Sequence, residues 1–414
     1  MAHTTVHTPT GPVVGSRDAA EEYIAGASFT YGPPRLIGAE VEWLARRADG
    51  SRPDRAALAR ALAHHSPRSI ARDSPAKPMP GGSAVSVEPG GQIELSSSPH
   101  VSARAVADAV AADREHLADL LATEGISLTA AAADDAREPE RILDAPRYVA
   151  MHRHFGRRGP FGALMMCNTA ATQVSVDAGT DPVMVERRWR LLHTMGPALV
   201  AAFASSPTLS GSPNGEWASQ RMRTWLHLDP ERTCGVQSSA HYPQWALDVP
   251  LLCVRRDGGD WSAPHGATLG HWIDGELDGV VDRRPTHGDL DYHLSTLFPP
   301  VRACGHLEVR YLDAQPGDRW KIPIAAVGAL LSGPGVIEEA FAVARTTANR
   351  WADAAEFGLA DLDLRSAATA LLSLAASYSD DPEFVRLLDA DAERCCRGLS
   401  PVEAEQAGAE VAYV

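Results

Sequence analysis

The chain has 414 residues, enough for two or three domains or one large mixed fold, and its 44% hydrophobic content is sufficient for a sizeable core. A formal net charge of −15 argues against nucleic acid or an anionic membrane as a partner. No stretch approaches the roughly 20 consecutive apolar residues of a membrane-spanning helix.

Residues 1–16 lack the basic and apolar regions of a signal peptide and are expected to be a disordered tail, ahead of a single domain over residues 17–414. A helix is predicted over residues 17–27, then a strand over 36–43. Residues 54–65 read as a second helix, followed by a Pro/Ser-rich link over 66–80. Ser102 suits the N-cap of a long amphipathic helix reaching about Thr123. Residues 131–147 read as a charged loop, 172–177 as a strand and 182–204 as a helix. A turn-rich loop is expected over 211–216, and short strands with turn signals over 255–270 and 275–291. From Pro323 onward the chain is mainly Ala-rich helix, with a break at Gly333-Pro334-Gly335. Acidic strands alternating with long helices predict an α+β fold, with helices behind an antiparallel or mixed sheet.

The stretch Glu88-Pro89-Gly90-Gly91-Gln92-Ile93-Glu94-Leu95-Ser96 carries the most chemistry. Pro89-Gly90 suits the central pair of a type II turn, with Gly90 taking the positive φ. After the bend Gln92, Glu94 and Ser96 alternate with Ile93 and Leu95, as in a strand with one polar face. Upstream, Glu40 and Glu42 share a face opposite Val41 and Trp43. Same-face residues lie roughly 6.5–7 Å apart at Cα, so these carboxylates repel unless cations sit between them. An exposed turn running into an edge strand is the plain alternative. The oxygen-only donors are those Mg²⁺ favours. Further on, Gln173, Ser175 and Asp177 share one face, as do His306, Glu308 and Arg310. A surface ladder of ion pairs would give the last pattern too.

The six cysteines, Cys167, Cys234, Cys253, Cys304, Cys395 and Cys396, form no Cys-x-x-Cys pair and no zinc spacing with His, so reduced thiols in a cytoplasmic protein are expected. His152-x-His154 is a poor zinc signal. No Gly-x₄-Gly-Lys-Ser/Thr loop is present, so a nucleotide is not held in the P-loop manner.

Glu40-Val41-Glu42 followed by the Glu88–Ser96 stretch resembles the opening of the glutamate–cysteine ligase family, in the branch shared by plants and many bacteria. Matching segments continue in order: Pro146-Arg147-Tyr148 with Met151, Met165-Met166, Thr172–Asp177, Phe203–Pro207, Pro213-Asn214-Gly215, Arg221, Trp225, Asp229, Arg232-Thr233, Trp245–Pro250, His293–Pro299 and Leu307-Glu308-Val309-Arg310. Within the family the chain is most similar to the actinobacterial branch that supplies γ-glutamylcysteine for ergothioneine synthesis.

The resemblance implies a curved, mostly antiparallel sheet forming an active-site funnel, as in glutamine synthetase and the guanido kinases. It implies ATP-dependent joining of the L-glutamate γ-carboxylate to the amine of L-cysteine through γ-glutamyl phosphate. It also implies two or more Mg²⁺ ions, replaceable by Mn²⁺, with Glu40, Glu88 and Glu94 around one and Glu42, Gln173 and Glu308 around another. Arg310 is then expected on the ATP γ-phosphate, making Glu308 and Arg310 the catalytic pair. Arg221 is the candidate for the glutamate α-carboxylate, since a guanidinium fork suits bidentate binding; a helix-surface Arg is the alternative. Trp225, Tyr242 and Trp245 are candidate walls of the amino-acid pockets, or else core aromatics. In plant members an Arg follows the residue matching Met151; here it is His152, and contacts at that place do not transfer. A monomer is expected. A ligase using another amine, or a metal-binding relative without catalysis, are the competing readings.

Overall fold

A computed structural model describes residues 11–32 and 35–412 of the chain, with side chains described as far as residue 407. Seven strands form one open sheet in the order β2-β3-β1-β5-β7-β6, with β4 on the far half of β1, and every pairing is antiparallel. The strands are β1 (Ile37–Arg47), β2 (Ala84–Val87), β3 (Ile93–Ser96), β4 (Ile126–Thr129), β5 (Thr172–Asp177), β6 (Val301–Ala303) and β7 (His306–Val309). β1 is the central spine. Its first half pairs with β3 and β5, and Leu44 to Arg47 pair with β4.

Register decides which side chains meet. Glu42 stands opposite Glu94, Glu40 opposite Ser96 and Gln173, and Glu308 opposite Ser175 and Arg302. Because side chains alternate along a strand, these polar residues share one face of the sheet. Val41, Trp43, Ile93, Leu95, Val174, Leu307 and Val309 fill the other and are almost completely buried. A long helix (Ala103–Ala122), capped by the Ser102 hydroxyl as expected, packs on β1 and β3. The helix Lys321–Leu330 packs on β5, and Pro182–Phe203 lies against β6. The C-terminal helices Leu362–Tyr378 and Pro382–Cys396 form a further layer behind them. The α+β expectation, with helices behind an antiparallel sheet, therefore holds.

Four local expectations need correction. The bend at Glu88 closes by a Gly91 N–H to Glu88 C=O bond of 2.8 Å, and Glu88 N–H returns to Gln92 C=O at 2.9 Å. Positive φ falls on Gly91 (86°), not on Gly90. This is a three-residue hairpin loop, a type I turn followed by a left-handed glycine. Gly90 is needed for a different reason: a Cβ there would lie 2.3 Å from the Cys167 carbonyl oxygen.

Residues 11–16, expected as part of the tail, run beside the 285–287 segment. Val14 is buried, and its N–H donates to the Pro285 carbonyl at 2.9 Å; residues 1–10 lie outside the described part. The loop read over 131–147 ends at Ala145, where Pro146 opens the helix Pro146–Gly156.

The strands expected over 255–270 and 275–291 do not form; isolated bridges and two short helices, Leu269–Asp274 and His287–Leu294, take their place. Arginines satisfy carbonyls that a ladder would otherwise pair: Arg256 donates to Asp260 O at 2.7 Å and Arg283 to Arg255 O at 3.1 Å. No single helix among the described residues is long and apolar enough to cross a membrane; the bent pair Lys321–Leu330 and Pro334–Ala344 passes by length and composition together, but it packs against the helices and sheet of the core.

Candidate active site

The polar face of the sheet gathers the carboxylates singled out in the sequence. Ser86 and Ser96 hydroxyls donate to one oxygen of Glu94 at 2.6 and 3.0 Å. Glu42 accepts from Ala171 N–H at 2.8 Å and from the Gln173 amide at 3.1 Å. The remaining Gln173 oxygen is buried and has no hydrogen-bond partner. Glu88 is carried over this face by its turn, which Arg52 clamps by donating to Gly90 O (2.5 Å), Cys167 O (3.0 Å) and Asn168 Oδ1 (2.9 Å).

Electrostatics separate two zones. Burial, and then the charges of Glu94 and Glu308, push the Glu40 carboxyl up to about 8. Glu42 is raised by burial, Glu94 and Glu88, and Glu94 by burial and Glu88. Glu88 is raised by burial and Glu40, with Arg147 opposing. Burial and mutual repulsion therefore disfavour the charged form of each of the four, and added positive charge would relieve both.

Glu308 behaves in the opposite way. Burial alone would raise it, but Arg302 and Arg310 outweigh burial and bring its carboxyl down to about 2. Arg302 Nη2 donates to Oε2 at 2.8 Å, and Arg310 Nη1 pairs with Oε1. The Nε groups of both arginines are buried without an acceptor.

The donor set suits Mg²⁺. It is all oxygen, carries more negative charge than its surroundings neutralise, and includes the orphaned Gln173 oxygen. Glu40, Glu42, Glu88, Glu94 and Gln173 are the residues that would hold cations, although among the described residues no three of these carboxylates have oxygens converging within 4.8 Å. The expected trio of Glu42, Gln173 and Glu308 is only partly assembled: Glu42 and Gln173 are bonded, whereas both Glu308 oxygens are taken by arginines.

Arg221, on the helix Gln220–Leu228, is not at the helix surface. Only 2% exposed, it donates to the Arg310 carbonyl at 2.7 Å and lies 3.7 Å from Asp313. Asp313 is held in turn by Ser205 N–H, Ser206 and Ser219 at 3.0, 2.7 and 2.9 Å. Trp225 is half-buried, with the guanidinium groups of Arg221 and Arg310 each 5.5 Å from its ring. With Arg310, Met222, Phe298, Pro300 and Cys234 it lines a cavity of about 200 Å³.

Tyr242 is a correction to the proposed pocket wall. It is fully buried among Phe29, Trp189 and Trp245, because its helix turns the ring into the core. Trp245 is half-buried and donates to Glu231 O at 3.1 Å. Its place is beside that core cluster, off the carboxylate face. His154 is engaged by Asp229 at 3.1 Å.

Sequence reasoning missed Arg302, Arg147 and Asp313. Val301-Arg302-Ala303 alternates correctly but is too short to be noticed. Arg147 stood in a matched segment without a role; it donates to Ser295 O at 2.7 Å and its charge acts on Glu88.

An open antiparallel sheet with helices behind it is the fold of glutamine synthetase-like ligases. Two solved structures share it. A glutamate–cysteine ligase from Francisella tularensis, in complex with AMP, superposes with a TM-score of 0.51 at 12% identity, covering 89% of this chain and 83% of that one. A bifunctional glutathione synthetase from Pasteurella multocida gives 0.50 at 14% identity, covering 93% and 50%. The family model for glutamate–cysteine ligase family 2 matches residues 36–407, and the chain belongs to that family. Glutamate–cysteine ligase EgtA from Mycobacterium tuberculosis is 37% identical over 402 residues, 93% of this chain and 88% of the relative. EgtA from Mycolicibacterium smegmatis is 37% identical over 376 residues, 87% and 84%. The chloroplastic glutamate–cysteine ligase of Arabidopsis thaliana is 30% identical over 248 residues, 58% and 47%.

Proposed function

We propose that the protein joins the γ-carboxylate of L-glutamate to the amine of L-cysteine at the expense of ATP, giving γ-glutamylcysteine, ADP and phosphate. The observation that carries this reading is the sheet face itself, a cluster of carboxylates that repel one another beside the Arg302–Glu308–Arg310 group, in a chain of this family. Similarity to the two EgtA relatives supports the further reading that the product enters ergothioneine synthesis. We also read the enzyme as a cytoplasmic monomer.

A carboxylate does not react directly with an amine, because an oxide cannot leave. Transfer of the ATP γ-phosphoryl group to the glutamate γ-carboxylate makes that oxygen a leaving group. The cysteine amine then attacks the carbonyl carbon, the C–O bond to phosphate breaks and the amide forms. Bound Mg²⁺, held by Glu40, Glu42, Glu88, Glu94 and Gln173, would neutralise charge on the phosphates. Arg310, steadied by Glu308, directs donors at the transferred group; its unpartnered Nε is available for an anionic oxygen. Glu308 holds Arg302 and Arg310 apart in fixed positions. Arg221 supplies a guanidinium for the glutamate α-carboxylate at the inner end of the site, and Trp225 walls it. No protein nucleophile is needed.

ADP release measured with each substrate omitted in turn tests the reading. Release that requires both glutamate and cysteine is expected. Release supported equally by unrelated amines would identify a different carboxylate–amine ligase, and no release would leave a non-catalytic binder.

A further inference from the structure

The hairpin joining β6 to β7 gathers a second set of donors, unlike those of the carboxylate face. Cys304 follows β6, Gly305 makes the turn at φ 81°, and Cys304 N–H returns to His306 C=O at 3.0 Å. Cys304 Sγ thereby lies 3.4 Å from His306 Nε2 and 3.9 Å from Glu308 Oε2. One donor atom from each of the three residues falls within 4.8 Å of the others. Cys304 is exposed, His306 half-buried and Glu308 buried, so the trio runs from solvent into the site.

We propose that Cys304, His306 and Glu308 form a binding site for a thiophilic divalent ion, zinc above all, and that its occupation turns the ligase off. With Zn–S near 2.3 Å and Zn–N near 2.0 Å, sulfur and nitrogen in a tetrahedral site stand about 3.5 Å apart. The Cys304–His306 separation already meets that requirement. Thiolate, imidazole and carboxylate together suit Zn²⁺ and not Mg²⁺, which keeps to oxygen. Three protein ligands leave a fourth position for water. Binding displaces the Cys304 thiol proton to solvent.

The inhibitory half of the proposal rests on the ligase reading. Glu308 Oε2 is the oxygen that Arg302 holds at 2.8 Å. An ion on that oxygen takes it from Arg302 and adds positive charge beside two guanidinium groups. The support that keeps Arg302 and Arg310 in place is then lost. Cys-x-His-x-Glu is not a recognisable zinc spacing in the sequence, because it becomes a set of converging donors only when the hairpin turn folds the cysteine back.

Cobalt(II) is the test probe, added to the full chain in excess Mg²⁺ so that the carboxylate face is already supplied. A thiolate-to-cobalt charge-transfer band saturating at one equivalent is expected. Cys304→Ser should abolish it, and His306→Asn should weaken binding by at least about tenfold. Zinc should displace the cobalt. It should also slow ADP release by at least about tenfold in the unaltered protein but not in Cys304→Ser. The assay uses 2-aminobutyrate in place of cysteine, so that no substrate thiol competes for the ion. Both variants should keep their zinc-free rate. An absent band, an equal band in Cys304→Ser, or equal zinc inhibition of both proteins would overturn the proposal. A protein that shows the band but releases no ADP with cysteine would instead overturn the ligase reading and the off-switch, while upholding the site.

Discussion

Arg302 and Glu308 face each other across the β6–β7 ladder, joined by a 2.8 Å hydrogen bond, and both sit on the sheet face that carries the carboxylates. Glu308 is 2% exposed, so it is no ordinary strand-surface residue. Removing Arg302 leaves the buried Glu308 with Arg310 as its remaining cation and takes the hydrogen bond from its Oε2. Arg302→Gln should therefore destabilise the fold by on the order of 3 kcal/mol, with Arg302→Lys recovering most of the loss. Glu308→Gln should lower kcat by orders of magnitude, since it releases Arg302 and Arg310 together. Urea unfolding and steady-state kinetics on the three variants check this; near-normal turnover by a folded Glu308→Gln would remove the residue from the site.

Metal removal gives a second outcome. ADP release should cease in excess chelator and return with Mg²⁺, with Mn²⁺ substituting. Full turnover in chelator would remove Glu40 and Glu42 from any role in holding metal.

Stability should depend on pH with a sign set by the same cluster. Glu40 is pushed from 4.5 up to about 8, and Glu42, Glu88 and Glu94 are also raised, all with burial as the leading cause. Between 4.5 and 8 these carboxyls bind more protons in the folded metal-free protein than in the unfolded chain, so their contribution to stability falls as pH rises through that window. Glu308 works in the other direction: its contribution is present above 4.5 and is lost as pH falls toward 2. Thermal melts in chelator should show Tm dropping from pH 7 to pH 8, above the range in which His193 and His293, kept neutral by burial, make stability rise with pH; saturating Mg²⁺ should flatten the slope. A Tm that rises across this range in chelator would mean that the four carboxyls are not self-repelling.

Arg221→Lys keeps the charge and loses the fork. The glutamate KM should rise more than the ATP KM. Equal rises in both, together with a lower Tm, would assign Arg221 to the Asp313 network and to support of the Arg310 backbone.

Gly90→Ala tests the turn. A Cβ at Gly90 would press on the Cys167 backbone at 2.3–2.4 Å, whereas one at Gly26, in the helix Arg17–Ser28, meets nothing within 4 Å. Gly90→Ala should cost about 1–3 kcal/mol and lower activity by displacing Glu88. Gly26→Ala should be neutral, or stabilising by up to about 1 kcal/mol. Equal Tm values for the two variants would deny the close approach.

Local pattern made much of this protein legible. Alternation placed Glu40 with Glu42, and Gln173 with Ser175, on single faces, because strand geometry permits only two. Ser102 marks a helix start, since capping acts within a few residues. The order of matched segments pointed to the family before any coordinates. What the sequence could not contain was register. Only the pairing of β1 with both β3 and β5 brings Glu42 between Glu94 and Gln173, and only the β6 edge sets Arg302 against Glu308. Burial was likewise a property of the whole. Spacing left open whether Arg221 is a carboxylate binder or a helix-surface residue, and whether Tyr242 walls a pocket or packs in the core; Arg221 is almost enclosed and Tyr242 lies in the core. Which residue types share each strand face follows from short-range backbone geometry alone. Tertiary structure decided which faces meet and which charges lose water, because strand pairing and desolvation depend on residues far apart in the chain.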